Sequence, residues 1–111
     1  MYSSELVKGN LKTIVLKLLE QEGKMYGYEI TQKVKLLSGE KIMITEGALY
    51  PTLHALESEG AVTTETEFIG KRVRKYYSLT KAGKNMMQLR VNEFRDFMNT
   101  MMLVLDLKPS S

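Results

Sequence analysis

At 111 residues, with 16 Lys/Arg against 13 Asp/Glu, the chain has the size of one small domain and a formal charge of +3. It has no cysteine and a single histidine, which excludes disulfides and thiolate metal sites and leaves an all-protein zinc site without its ligands. No apolar run approaches about 18 residues, and "MYSSELVKGNLK" is no charged-then-apolar leader, so neither a membrane span nor a secretory signal is expected and a cytoplasmic location is the default.

Residues 4–21 set Val7, Leu11, Ile14 and Leu18 at spacings of four, three and four. That is one apolar stripe of an amphipathic helix, closed by Gly23 as its C-cap. Residues 27–38, "GYEITQKVKLLS", repeat the pattern with Ile30, Val34 and Leu37, and Ser38-Gly39 stops this second helix. "KIMIT" (41–45) is too short and too β-branched for a helix and is expected to form a small edge strand.

Thr45 then caps a third helix with Leu49, Leu53 and Leu56 on one face. At about 100° per residue, Gly47, Pro51, His54 and Ser58 fall roughly opposite, with Tyr50 on the flank. A proline inside a helix removes a backbone donor and costs about 3 kcal/mol. Here it points away from the core, and the carbonyl it leaves unpaired, that of Gly47, faces solvent or a polar partner. A helix starting at Pro51 itself is the alternative.

Residues 61–79 read as a hairpin. "IGKR" puts Gly70 first in a two-residue turn of type II′, which pairs residues whose numbers sum to 141. Phe68 then faces Val73, Thr64 faces Tyr77 and Val62 faces Leu79, giving an apolar inner face. Glu67 faces Arg74 on the other side as an opposite-charge pair. Thr80 caps a last helix expected to run to about Leu107, roughly 40 Å long, with Pro109 in the tail "KPSS" ending it. Along it Met87, Val91, Phe94, Met98, Met101 and Leu105 recur at four-three spacing, a seam of about three heptads. The expected fold is mainly α with a small β-hairpin (α+β): a winged helix-turn-helix over residues 1–80, then a long dimerisation helix and short tail over 81–111, together one compact unit.

At "MYGYEI", "ITEGALYPTLHALESEG" and "KRVRKYYSLTKAG" the sequence resembles the PadR family of bacterial transcriptional regulators, over residues 5 to about 90. The single helix after the wing is similar to the short subfamily, whose members dimerise through it. The resemblance implies a homodimer that binds operator DNA, an inverted repeat, usually as a repressor, with phenolic or drug-like effectors in some members. It also implies that the "LYP" helix enters the major groove and the hairpin tip lies along the neighbouring backbone. The chain departs from the family pattern at Glu46-Gly47-Ala48, where "GT" or "AT" often precedes Leu-Tyr, and at His54, where Arg or Lys is common. Both positions bear on base preference.

The candidate DNA-binding residues follow from helix and wing. Thr45, Gly47 and Ala48 give a capped, small-residue helix front whose free amides favour an anion. Tyr50 and His54 are long enough to reach base edges, although a half-buried packing role for Tyr50 and simple exposure of His54 are the bland readings. Pro51 is either part of a rigid, closely approaching surface or a tolerated defect. Lys71 and Arg72 at the hairpin tip are the least encumbered cations; Arg74 is offset by Glu67, and Lys75 sits on the apolar side. The bland reading of this cluster is a solvated charge run. Tyr26 and Tyr28 either donate to phosphate or pack on the third helix, and Lys24 beside them reads as solvated.

An apolar seam on so long a helix exceeds what one small domain can cover, so a partner helix is expected. Val7, Leu11, Ile14 and Leu18 of the first helix match its period and are expected to join Met87, Val91, Phe94, Met98, Met101 and Leu105 in the dimer. Methionine-rich cores adapt to varied apolar ligands, so an effector pocket around Phe94, Phe97 and Met98 stands beside the plainer reading of a dimer core. No glycine-rich phosphate loop, metal cluster or Ser/His/acid set is present in the sequence, and neither catalysis nor a cofactor or metal is expected. The rival reading is a winged-helix protein-interaction module that does not bind DNA.

Overall fold

Side-chain caps set where the helices begin. In the computed structural model, which describes residues 2–108, Ser3 opens helix α1 (Ser4–Glu22) by accepting from the Leu6 amide, and Gly23 closes it at φ 88° with its amide on the Leu19 carbonyl. Strand β1 (Lys24–Tyr26) follows, then helix α2 (Gly27–Leu37), opened by Glu29, whose carboxylate accepts from the Tyr26 amide at 3.1 Å. Helix α3 (Glu46–Ser58) begins after Thr45, whose Oγ1 accepts from the Ala48 amide at 3.2 Å. Pro51 lies inside α3, so the alternative start at that residue is not adopted.

The expected strand at 41–45 does not form. Ile44 is buried and Ile42 packs half-buried against the core, so this segment gives its apolar side chains to the interior instead of a ladder. The short strand is β1, which pairs antiparallel with strand β3 (Arg72–Leu79) through Lys24↔Ser78, Met25↔Tyr77 and Tyr26↔Tyr76. Strand β2 (Val62–Ile69) occupies the other side of β3, giving the order β1-β3-β2.

The β2–β3 register is the expected one, from Val62↔Leu79 through Thr64↔Tyr77 to Phe68↔Val73. Gly70 takes φ 62° and Lys71 is not among the positive-φ residues, as a II′ turn requires. The inner face is apolar but buried only at its base, where Val62 and Tyr77 meet the core; Phe68 and Val73 stand in solvent. The tip of the hairpin thus lies outside the core that its base helps to form.

Helix α4 (Lys81–Val104) is capped by Thr80, whose Oγ1 accepts from the Gly83 amide at 3.0 Å. It is about 36 Å long and ends short of Leu107; Pro109 lies outside the described residues. Three helices, a three-stranded antiparallel sheet and the long last helix form the expected winged helix-turn-helix.

The core joins α1, α2, α3 and the sheet. Leu11 and Leu18 of the expected α1 stripe are buried within this protomer, together with Val15, Leu16 and Leu19, because α1 packs on α2, α3, β3 and α4 at once. Val7 and Ile14 stay half-buried. Helix α4 gives the core Met87, but every residue from Asn92 to Thr100 is exposed. The molecule is accordingly elongated, 55 × 29 × 23 Å.

Candidate nucleic-acid interface

Leu49, Leu53 and Leu56 bury one side of α3 completely, which turns the opposite side outward. Gly47, Tyr50, Pro51 and His54 are exposed there at helical spacing, and Ala48 is half-buried at the edge. Nothing but the Thr45 hydroxyl approaches the space where a Gly47 side chain would begin. The helix front is thus open, and its first amides point outward where an anion is favoured. Glu46 in the first turn is the one opposing charge on that front.

Tyr50 does double duty. It is 38% exposed, yet its hydroxyl lies over the start of α2. A β-carbon at Gly27 would stand 2.7 Å from that oxygen. A side chain at position 27 would displace the Tyr50 ring from this placement, so "MYGYEI" and "ALYP" are joined here. The close approach of Tyr50 to Gly27 is not legible from the residues next to Gly27 along the chain.

On the hairpin, Lys71 and Arg72 are exposed, and neither has an acidic partner within 4 Å among the described residues. The other cations are engaged. Lys75 Nζ lies 3.7 Å from Glu57 of α3 and over the Tyr77 ring. Arg74 does not pair with Glu67, although the two are ladder partners. Its guanidinium sits 4.4 Å from the centre of the Tyr26 ring, and Tyr26 in turn meets Tyr76 edge-on at 5.5 Å. Tyr26 therefore packs on the sheet.

Glu67 and Glu65 both belong to Lys24, at 2.9 Å each, with the Lys24 ammonium also 5.0 Å above the Tyr76 ring. The hydrogen bonds to Glu67 and Glu65 push the Lys24 pKa above its ordinary range. Lys24 is thus a bound countercharge, not a solvated lysine. Sequence reading missed this because the strand that places Lys24 beside β3 was itself unread.

Of the seam residues of α4, Phe94, Met98 and Leu105 are exposed and Val91 and Met101 half-buried, whereas Met87 is buried in the protomer's own core. Phe94 borders a groove of about 660 Å³ that also runs along Leu6, Val7, Ile14, Leu37 and Val91. Phe94 and Phe97 share a smaller cleft with Asn10 and Thr13; Met98 borders neither. Among the described residues no cluster of His, Cys, Asp or Glu is arranged to hold a metal, and no helix is long and apolar enough to cross a membrane.

The chain matches the family model described as the transcriptional regulator PadR-like family over residues 15–89. Its fold is similar to that of a transcriptional regulator from Clostridium thermocellum, with a TM-score of 0.82 at 29% identity, covering 91% of this chain and 95% of that one. It is also similar to PadR of Bacillus subtilis, solved in complex with operator DNA, with a TM-score of 0.64 at 34% identity over 70% of this chain and 44% of that one. A transcriptional regulator of Mycobacterium tuberculosis is 35% identical over 63 residues, covering 57% of this chain and 56% of its relative.

Proposed function

The chain belongs to the PadR-like family of transcriptional regulators, and on that premise we propose that it is a homodimeric repressor that binds an inverted-repeat operator in the cytoplasm. Residues 1–80 hold the DNA and residues 81–111 hold the partner. The observation that carries this reading is the pair of exposed cations, Lys71 and Arg72, without an acidic partner among the described residues, on a hairpin that meets α3 at Glu57. Gly47, Ala48, Tyr50, Pro51 and His54 meet the major groove, with Thr45 capping the helix behind them. Lys71 and Arg72 neutralise backbone phosphates, which fixes register without reading sequence. Arg74, Lys75 and Tyr26 support the wing from within.

The dimer forms through the seam Val91, Phe94, Met98, Met101 and Leu105, with Met87 supporting it from the protomer core, closed by the partner's equivalent and by Val7 and Ile14. Leu11 and Leu18 support that surface from inside the protomer core. An apolar or phenolic effector enters next to Phe94, with Phe97 and Met98 nearby, and shifts the relative setting of the two DNA-binding units. Selection of bound sequences from a random duplex pool tests the reading. An enriched inverted repeat is expected; a pool left unenriched at low salt overturns sequence-specific binding, and enrichment of single half-sites overturns the dimer.

A further inference from the structure

The hairpin tip carries large apolar residues that lie outside the core of this protomer. Phe68 and Val73 face each other across the ladder and are 78% and 58% exposed, with Ile69 44% exposed on the opposite face. Large apolar side chains gathered at the end of a projecting hairpin gain nothing from water. Around them stand Lys71 and Arg72, free of acidic partners among the described residues. The acids that could repel a polyanion, Glu65 and Glu67, are both held by Lys24.

The tip also has a definite side. Thr64 and Lys75 lie on the same hairpin face as Phe68 and Val73, and both meet Glu57 near the end of α3, at 3.4 Å and 3.7 Å. Phe68 therefore continues the α3 side of the wing outward. On the DNA-binding reading above, a duplex held by the outward face of α3 would pass that side.

Resting on the DNA-binding reading above, we propose that Phe68, backed by Val73, is an apolar wedge that enters the minor groove next to the major groove held by α3. Apolar side chains placed between base steps there unstack them partly and kink the duplex. Lys71 and Arg72 lie against the phosphates that rim the same groove, so charge attraction and apolar insertion come from one turn. The step that receives the ring selects sequence by its deformability, and flexible pyrimidine–purine steps such as TA are favoured. The wing then contributes to specificity outside the bases that α3 touches.

The chain contains no tryptophan, so Phe68→Trp installs a single indole at an exposed position. A dye-labelled duplex with a TA step reports binding by anisotropy while the indole reports its own surroundings. On binding, the indole emission falls and its accessibility to acrylamide drops by about threefold or more, as a stacked ring requires. Phe68→Ala lowers affinity for this duplex by about tenfold and reduces its bend in circular-permutation electrophoresis, with an unchanged salt slope. An indole equally accessible in the bound complex overturns the wedge, as does a Phe68→Ala variant with wild-type affinity and bend. An indole already shielded without DNA assigns the tip to a second copy of the chain and overturns it too. If the wild-type protein leaves the anisotropy unmoved at low salt, the DNA-binding reading itself fails and the wedge with it.

Discussion

Gly83 rests directly on the carbonyl oxygen of Ala61, so closely that a β-carbon at position 83 would overlap it. The same carbonyl accepts from the Thr80 amide at 3.0 Å, and Thr80 Oγ1 donates to the Gly60 carbonyl at 2.6 Å. The end of α3 and the start of α4 are thereby clasped backbone to backbone. In the proposed dimer, a tilt of α4 would be passed through this clasp to α3, the helix proposed to meet DNA.

Gly83→Ala tests the clasp. Alanine gains about 1 kcal/mol of helix propensity, but the obstacle is a backbone oxygen that has no rotamer to escape to. Overpacking of this kind costs about 1–3 kcal/mol, so the variant is expected to be less stable by urea denaturation. A midpoint equal to or above wild type would show that α4 does not sit this tightly.

Lys24→Ala leaves Glu65 and Glu67 without their countercharge on the wing proposed to contact DNA. The pair is exposed, so thermal stability is expected to stay close to wild type. DNA affinity falls by a factor of roughly three to ten, the effect of about one screened charge. Adding Glu65→Gln and Glu67→Gln to Lys24→Ala restores it. If the triple variant binds as weakly as Lys24→Ala alone, Lys24 touches DNA itself and is no countercharge.

Phe94→Asp puts a carboxylate into the seam of the proposed dimer. An unpaired charge buried there costs about 3–5 kcal/mol, and sedimentation is expected to show a monomer. The residue is partly exposed in the protomer, so the fold survives and circular dichroism keeps its helical signal. A variant that remains dimeric at micromolar concentration places the interface elsewhere.

Tyr50 and His54 separate packing from base contact. His54→Ala is expected to lose about 1–3 kcal/mol on the selected operator, with less effect on random DNA. Tyr50→Ala loses operator affinity too, but it also removes the ring that covers Gly27, so its unfolding midpoint falls. Equal losses on operator and random DNA for His54→Ala would confine that side chain to the backbone.

What the sequence disclosed was local. The Thr45 and Thr80 caps lie within three residues of the amides they accept from, and the Gly70 turn fixes its hairpin register by counting. The three residues of β1 carry no alternation to read, because their strand form comes from a partner some fifty positions later. Missing β1 meant missing the Lys24 countercharge and freeing Glu67 on paper to pair with Arg74. Residues 41–45 have strand-like composition, yet both edges of β3 were already taken. Nor does apolar alternation in the hairpin tell where the core stops, which is why Phe68 looked buried and is not.

The central claim is that the free cations of the wing hold phosphate, and the salt dependence of Lys71→Ala with Arg72→Ala tests it most directly. Each neutralised phosphate contributes a slope of about −0.9 to log affinity against log salt. A dimer carries the wing twice, so the double variant removes up to about four contacts and its slope should be shallower by roughly two to four units. The preferred sequence and the circular dichroism spectrum should be unchanged. A double variant that keeps the wild-type slope would contradict the account, leaving Lys71 and Arg72 as a solvated face.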